Sequence, residues 1–346
     1  MKVLHVGAGN LYGGIERVLV TLAAERGACA PMEPHFAACF EGRLTRELRE
    51  IGAPVHVLGD VRMARPWTVW AARRRLDKLL RRERFDAVVC HACWPHALAA
   101  PLVRRAGIPL ITWAHDTLGL GHWIERLASR TRPDLVLANS QPTRESVDAV
   151  FPGALTTLLY YPVPAPTIRD VNTVRDRVRA EHGAAAGSTV ILSACRLERW
   201  KGHALLIDAL VLLRDVPGWT CWIAGGVQRE TERAYLAELE TSAGRNGIAD
   251  RVKFLGQRDD VPQLMTAADV HCQPNVAPEP FGIAFVEALH AGLPVVTTAM
   301  GGPLEIVTND CGVLVPPGHA NALAASLREL VLNPQRRRRL GLAGPA

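Results

Sequence analysis

Two glutamates stand eight residues apart, Glu279 and Glu287, in a segment that has the pattern of a loop running into a helix. Pro280 suits the first turn of that helix, which would place Glu279 just ahead of it and Glu287 about a turn and a half along. Backbone N–H groups at a helix start donate to phosphate and sugar oxygens, and carboxylates accept hydrogen bonds from hydroxyl groups. The pair therefore favours a phosphorylated sugar as ligand over a metal ion.

A pair of cations follows the first predicted strand of the second half. Arg196 and Lys201 lie in the run Arg-Leu-Glu-Arg-Trp-Lys-Gly, and Lys201 is one of only four lysines in 346 residues. Breaking a bond between a sugar and a phosphate leaves extra negative charge on the phosphate, which fixed cations stabilise in the transition state. Arginine can bind phosphate through two hydrogen bonds, whereas lysine acts as a point charge. Such a pair suits the departure of a phosphate group.

Two loops of the first half also carry chemistry. In the glycine-rich stretch 7–16, small residues would let the backbone approach a phosphate, and a helix is predicted to start near Gly14. The dinucleotide-binding pattern requires glycine where Tyr12 stands, so this spacing does not support a nicotinamide site. Later, His115 and Asp116 follow a predicted strand, where a histidine can hydrogen-bond a sugar hydroxyl in either protonation state.

Short apolar runs alternate with helical patterns through both halves, which is typical of parallel sheets covered on both faces. A stretch rich in proline predicts a stiff linker over residues 161–170 between domains at 1–160 and 171–346. We therefore predict an α/β fold with binding loops after the strands. The predicted strands are Val3–Val6, His35–Phe40, Val55–Leu58, Ala87–Cys90, Leu110–Trp113 and Leu135–Ala138 in the first half, and Thr189–Ala194, Thr220–Ala224, Val252–Leu255, Asp269–Gln273, Val295–Thr297 and Gly312–Val315 in the second.

These motifs, in this order, resemble the signatures of retaining family-4 glycosyltransferases over about residues 1–330. The resemblance implies the GT-B fold, in which two Rossmann-like parallel-sheet domains, one on the acceptor side and one for the donor, face each other across a cleft. It implies transfer of a sugar, with retention of configuration, from a nucleotide-sugar such as a UDP- or GDP-sugar to a sugar, lipid-linked or small-molecule acceptor. Glycan, glycolipid or polysaccharide synthesis is the expected setting, with no metal and no further cofactor. That family usually ends in a long helix that braces the first domain, and the sequence stops at Ala346 without an evident counterpart.

The resemblance also implies roles for particular residues. Its catalytic set comprises His115 and Glu279 on the donor sugar and Arg196 and Lys201 on the diphosphate. Removing Lys201 is then expected to lower turnover about 100-fold and to leave stability unchanged. The substrate-binding set is Gly13, Gly14, Asp116, Arg258, Phe281, Gly282, Ile283 and Glu287, with Glu287 on the ribose and Arg258 in the loop near the base. Gly301 and Gly302 are interpreted as points of close ligand approach, and Glu305 as structural.

Two alternatives to this function remain open from the sequence. One is another GT-B enzyme such as a nucleotide-sugar epimerase, and the other is a non-catalytic protein that binds sugar nucleotides. The run from Cys90 to His96 has the short spacing of metal ligands, but a structural zinc site normally needs a second pair, so these residues are interpreted as lining a cleft.

Composition and charge indicate where the protein is located and which kinds of partner it binds. No run of about 18 apolar residues occurs, the N-terminus enters a strand directly, and eight cysteines are scattered among apolar neighbours, so we expect a cytoplasmic protein. The net charge of +6 comes from dispersed arginine without a recognition module, which argues against nucleic acid binding. The helical pattern 68–84 is apolar on one side and basic on the other, which suits either a solvated face or peripheral contact with the inner, anionic face of a membrane.

Overall fold

The computed structural model describes residues 1–29 and 31–344. Backbone contacts divide the chain into two compact units, Met1–Val163 and a second that begins at Pro164. The division falls within the stretch 161–170, for which the sequence predicts a linker. The predicted second domain extends to residue 346, and its last two residues lie outside the described part. Every helix in the described ranges is too short or too polar to pass through a lipid bilayer.

Seven strands in the described part of the first unit form one parallel sheet with the order β3-β2-β1-β4-β5-β6-β7. The strands are β1 (Lys2–Gly7), β2 (Glu33–Ala38), β3 (Val55–Val57), β4 (Ala87–His91), β5 (Leu110–Ala114), β6 (Leu135–Ala138) and β7 (Thr156–Leu158). The helices are α1 (Gly14–Ala24), α2 (Arg43–Glu50), α3 (Pro66–Glu83), α4 (Cys93–Arg105), α5 (Trp123–Ala128) and α6 (Gln141–Ser146). The strand order reverses between β1 and β4, the position at which open parallel sheets bind ligands.

Six strands between residues 164 and 344 form a second parallel sheet with the order β10-β9-β8-β11-β12-β13. The strands are β8 (Thr189–Ala194), β9 (Trp219–Ala224), β10 (Val252–Gly256), β11 (Val270–Gln273), β12 (Val295–Thr298) and β13 (Gly312–Val315). The helices are α7 (Val171–Glu181), α8 (His203–Val211), α9 (Glu230–Arg245), α10 (Val261–Ala267), α11 (Ile283–His290), α12 (Pro303–Ile306), α13 (Ala320–Leu332) and α14 (Pro334–Ala343).

Helices cover both faces of the second sheet, and every residue of its strands β8, β9, β11 and β12 is buried. All six residues of β8 are buried, and successive side chains of a strand point to opposite faces. Thus Ile223 packs with Leu206 and Leu327 on one face, while its neighbour Trp222 packs with Phe285 on the other. Two buried apolar layers therefore hold the sheet rigidly beneath its loops.

The predicted α/β architecture with two parallel sheets is confirmed, and the strands of the second sheet agree with the prediction to within a residue. The sequence did not predict β7. The predicted start of the helix that carries Glu287 is wrong, because α11 begins at Ile283 and Pro280 precedes it. Gly282 has φ +107°, a left-handed backbone angle outside the α-helical range, so the helix cannot extend back to Pro280.

Candidate active site

The carboxylate of Glu279 is the centre of a buried polar cluster in the second unit. Its Oε2 accepts hydrogen bonds from Lys201 Nζ at 2.5 Å, Gln273 Nε2 at 3.0 Å and Asn275 Nδ2 at 3.0 Å. The side chains of Lys201 and Glu279 are only 11% and 10% exposed. A charge-assisted pair with two further donors holds the carboxylate in one orientation. The structure thus brings together two of the predicted catalytic residues.

Glycine makes the approach of the lysine loop possible. Lys201 follows β8 and Asn275 follows the adjacent β11, so both loops leave the same edge of the sheet. Gly202 has φ +78°, and a Cβ there would lie 1.8 Å from the carbonyl oxygen of Pro274. The backbone N–H of Val276 donates to the carbonyl of Trp200 at 2.8 Å and joins the two loops. Glycine is therefore needed directly after Lys201 for packing.

A third loop, after β12, supports the glutamate from its other side. Gly302 N–H donates to the Glu279 carbonyl at 2.7 Å, and Gly301 forms a parallel bridge with Glu279. A Cβ on Gly301 would lie 2.3 Å from that carbonyl oxygen, and one on Gly302 would lie 2.5 Å from the carbonyl oxygen of Phe281. Glycine at both positions is therefore required by the packing of the Glu279 loop, and the interpretation of these glycines as points of ligand approach stays a prediction.

The rest of the predicted acidic segment lies next to this loop. Phe281 and Gly282 are buried, Ile283 is the first residue of α11, and Glu287 is partly exposed on the second turn of that helix. Because α11 starts four residues after Glu279, the predicted placement of Glu279 just ahead of the helix is wrong. Glu279 is instead held by the β12 loop, by Gln273 on β11, and by side chains of the loops after β8 and β11.

The two predicted arginines have local acidic partners. Arg196 pairs with Glu198 at 2.9 Å, and its side chain is 34% exposed. Arg258 contacts both carboxylate oxygens of Asp260, at 2.8 and 2.7 Å, which raises the pKa of Arg258 and lowers that of Asp260. Arg196 is thus a partly exposed cation on the loop of Lys201, whereas Arg258 braces the start of α10.

In the first unit, His115 follows β5 and is 7% exposed. Its Nε2 lies 2.9 Å from His91 Nδ1, and its Nδ1 forms a hydrogen bond with the hydroxyl of Tyr161. Burial lowers the pKa of His115 to about 3, so the ring is neutral near pH 7. Both ring nitrogens are therefore already hydrogen-bonded within this unit.

The remaining predicted residues of the first unit lie on loops. Gly13 precedes α1 and its N–H donates to Glu16 Oε2 at 3.0 Å, while Gly14 is the first, exposed residue of that helix. Asp116 is exposed and accepts the N–H of Thr117 at 2.9 Å. This loop geometry agrees with a helix starting near Gly14.

The short Cys and His pattern has other contacts. His96 Nδ1 lies 2.6 Å from Thr112 Oγ1 and its Nε2 lies 2.7 Å from the Thr131 carbonyl. Burial raises the pKa of Cys93 to about 12, so its thiol stays protonated. Within residues 1–29 and 31–344, no three His, Cys, Asp or Glu side chains are grouped so as to hold a metal ion.

The sequence did not predict Gln273 and Asn275 as partners of Glu279. It also did not predict His91 and Tyr161 as partners of His115, or His5 as the partner of His91. A signal for the amides was present, since both stand at the end of a predicted strand and just before Glu279. The signal for the histidines was weaker, because their strands are adjacent only after the sheet order is known.

Comparison with known proteins gives the class of protein. The family described as Glycosyl transferases group 1 matches residues 174–346, and Glycosyltransferase Family 4 matches residues 12–163. HepE of Anabaena, crystallised with UDP and glucose, superposes with a TM-score of 0.85 and 28% identity over 100% of this chain and 94% of that chain. The fold is therefore the GT-B fold of glycosyltransferases.

Relatives found by sequence belong to the same class of protein. A GDP-mannose-dependent alpha-(1-6)-phosphatidylinositol monomannoside mannosyltransferase of Mycobacterium tuberculosis is 30% identical over 290 residues, covering 78% of this chain and 73% of the relative. A phosphatidyl-myo-inositol mannosyltransferase of Mycobacterium leprae is 35% identical over 162 residues, which are 46% of this chain and 41% of the relative. This chain belongs to glycosyltransferase family 4 and is a glycosyltransferase.

Proposed function

We propose that the protein transfers a sugar from a nucleotide-sugar to an acceptor hydroxyl with retention of anomeric configuration. The observation that carries the proposal is the buried pair of Lys201 and Glu279, held by two amides at the carboxyl edge of the second sheet. An ammonium has three N–H donors, and Glu279 uses one of them. The pair thus offers a cation for a phosphate oxygen beside a carboxylate for sugar hydroxyls.

Charge on the leaving diphosphate is central to the reaction. In the proposed mechanism Lys201 and the partly exposed Arg196 stabilise that charge as the bond between sugar and phosphate breaks. The acceptor hydroxyl attacks from the face that the diphosphate leaves, and a departing phosphate oxygen takes its proton, so configuration is retained. Two protein cations in this role make a divalent metal and any further cofactor unnecessary.

The relatives suggest donor classes to test. The mycobacterial relative is named as GDP-mannose-dependent and as acting on a phosphatidylinositol mannoside, and HepE was crystallised with UDP-glucose. We propose a GDP- or UDP-hexose as donor, with mannose as the first sugar to test, and a lipid-linked acceptor of glycolipid or lipopolysaccharide synthesis.

The decisive experiment combines binding with hydrolysis. Thermal melting with GDP, UDP and their sugars should show stabilisation by one base, because a ligand that binds only the folded state raises its melting temperature. The same donor should be hydrolysed slowly without acceptor, and Glu279→Gln should abolish hydrolysis while bare diphosphate still binds. Absence of stabilisation by any nucleotide diphosphate would overturn the proposal, and binding without hydrolysis or transfer would favour the non-catalytic alternative.

We also propose that helix α3 docks on an anionic membrane surface. Its buried side holds Ala72, Leu76, Leu79 and Leu80. The opposite side presents a stripe at helical spacing of Trp67, Trp70, Arg74, Lys78 and Arg81, all of them exposed. The two tryptophans are 66% and 61% exposed. Tryptophan favours the headgroup region of a bilayer, and each basic residue near an anionic surface contributes about 1 kcal/mol.

Vesicles of anionic and of neutral lipid test this surface. Binding should require anionic lipid, weaken with salt, and fall by at least about 30-fold in the double variant Arg74→Glu with Arg81→Glu, because losing the attraction of two basic residues alone removes about 2 kcal/mol. The matched control reverses Arg338 and Arg339, two exposed residues of α14, and should bind nearly as the wild type does. Equal loss in both double variants would indicate a general charge effect and not a docking helix.

A cytoplasmic location belongs to the same proposal. The eight cysteines are all free thiols, as expected in a reducing compartment.

A further inference from the structure

Three imidazoles form a continuous hydrogen-bonded row at one edge of the first sheet. His5 Nδ1 lies 3.0 Å from His91 Nε2, and His91 Nδ1 lies 2.9 Å from His115 Nε2. The row ends at His115 Nδ1, which is hydrogen-bonded to the hydroxyl of Tyr161. The histidines stand on or just after β1, β4 and β5, which are neighbours in the sheet. The row therefore starts in the core and ends at the loop edge.

Every ring in the row is neutral near pH 7. Burial lowers the pKa of His5 to about 4 and that of His115 to about 3, and it lowers the pKa of His91 well below its ordinary value. A neutral imidazole has one N–H donor and one acceptor nitrogen. Each contact between two rings needs one of each, so the three tautomers are coupled. Either all three rings carry hydrogen on Nδ1, or all three carry it on Nε2.

The core end of the row distinguishes these two states. His5 Nε2 is buried, and among the described residues nothing lies within hydrogen-bonding distance of it. In the Nε2–H state this position is a buried N–H without an acceptor, whereas in the Nδ1–H state it is only an acceptor without a donor. Unpaired buried N–H groups are rarer and more costly. The core end therefore favours the Nδ1–H state for the whole row.

The loop end is compatible with that direction but does not select it, because the Tyr161 hydroxyl can either accept from His115 Nδ1 or donate to it. Asn139 Nδ2 donates to the hydroxyl oxygen of Tyr161 at 2.9 Å and to the carbonyl of His115 at 3.2 Å. Because a carbonyl only accepts, the amide orientation is fixed, and the tyrosine oxygen accepts from Asn139. In the Nδ1–H state the same oxygen also accepts from His115, which its two lone pairs allow.

We propose that His5 and His91 are positioning residues that hold His115 in its Nδ1–H tautomer, so that the ring nitrogen bonded to the Tyr161 hydroxyl is a donor and not an acceptor. The row is not a path for protons, because its far end is buried at His5. On the proposed function, which this inference extends, a sugar or phosphate oxygen that replaces the Tyr161 hydroxyl at His115 Nδ1 must do so as an acceptor.

Nitrogen-15 NMR of the labelled wild-type protein without any substrate tests the tautomers directly. Long-range couplings from the ring carbons distinguish the two nitrogens, and single histidine substitutions assign the signals. We expect the Nδ1–H pattern for all three residues between pH 6.5 and 8. The Nε2–H pattern at His91 or His115, or an average of both, would overturn the inference whether or not the protein is active.

A matched pair of variants tests the positioning role. In His91→Asn the introduced amide can still donate to His115 Nε2, whereas in His91→Asp an ionised carboxylate can only accept and should move the hydrogen of His115 to Nε2. We expect kcat/KM within about threefold of the wild type for the first and at least tenfold lower for the second, since about one hydrogen bond is lost.

Equal activity losses with His115 in the Nδ1–H form in both variants would contradict the positioning role. If the buried carboxylate prevents folding, the wild-type spectrum still decides the tautomer. A wild type that shows the Nδ1–H row but transfers no sugar would overturn the proposed function and leave this inference intact.

Discussion

Replacing Lys201 by methionine separates the structural and catalytic roles of the buried pair. The substitution keeps the length of the side chain and removes the charge, which leaves Glu279 with the two amide donors only. A hydrogen bond to a charged group contributes about 1.5–3 kcal/mol, and a broken buried pair can cost about 3–5 kcal/mol. At about 2–4 °C per kcal/mol for a domain of this size, the melting temperature of the second unit should fall by roughly 3–20 °C. The sequence-based expectation of unchanged stability is therefore revised.

Turnover should fall about 100-fold in the same variant, because a cation that stabilises the leaving group is lost. Combining Lys201→Met with Glu279→Gln should restore part of the stability, since a neutral amide no longer leaves a buried charge unpaired, while turnover stays low. Lys253→Met, on edge strand β10 of the same unit, is the control and should change both quantities little.

The double-mutant cycle compares thermal melting and donor hydrolysis in four proteins, which are the wild type, Lys201→Met, Glu279→Gln and the double variant. A melting temperature of Lys201→Met equal to that of the wild type would show that the pair adds no stability. Turnover near the wild-type rate in that variant would refute the catalytic assignment of Lys201, whatever its effect on stability.

Three further outcomes are expected. Gly202→Ala should destabilise the second unit more than the control Gly218→Ala, for which about 1 kcal/mol is expected. Both glycines have positive φ, but only at Gly202 would a Cβ meet a backbone carbonyl, that of Pro274, at 1.8 Å. Equal urea midpoints for the two variants would contradict the packing argument. Burial lowers the pKa of His96 to about 4, below its unfolded value, so the stability that the neutral ring contributes is present above about pH 6.5 and lost as pH falls toward 4. His96→Asn should therefore reduce the acid slope of the unfolding free energy by up to about 1.4 kcal/mol per pH unit, and a slope equal to that of the wild type would contradict this. Transfer activity should survive a chelator, and its loss with recovery on adding Mg²⁺ or Mn²⁺ would contradict the proposed metal independence.

The strands of the second sheet could be predicted because glycine and proline separate their apolar runs from the neighbouring segments. The start of α11 could not, since Pro280 fits a first helical turn locally while the backbone of Glu279 is held by contacts with Gly301, 22 positions away. Long-range contacts of this kind override a local preference and are not visible in the order of residues.

The same limit applies to the site. Lys201 and Glu279 could be proposed singly from their motifs, but their contact depends on β8 and β11 being adjacent. The row from His5 to His115 could not be predicted for the same reason. Its three histidines become neighbours only when β1, β4 and β5, which are far apart in sequence, pair in the sheet. Residue types indicate the chemistry, and the strand order decides which of them meet.

The close contact of Gly301 and Gly302 with the backbone from Glu279 to Phe281 affects how this enzyme could be re-engineered. Exchanging the acidic segment alone with that of a relative would place a new backbone path against a loop with no room for a Cβ. A chimera that moves only one of the two segments should fold poorly for reasons unrelated to sugar recognition. The smallest transferable module is the pair of segments together with α11 and β12, which lie between them, and libraries aimed at donor choice should vary side chains while keeping both glycines.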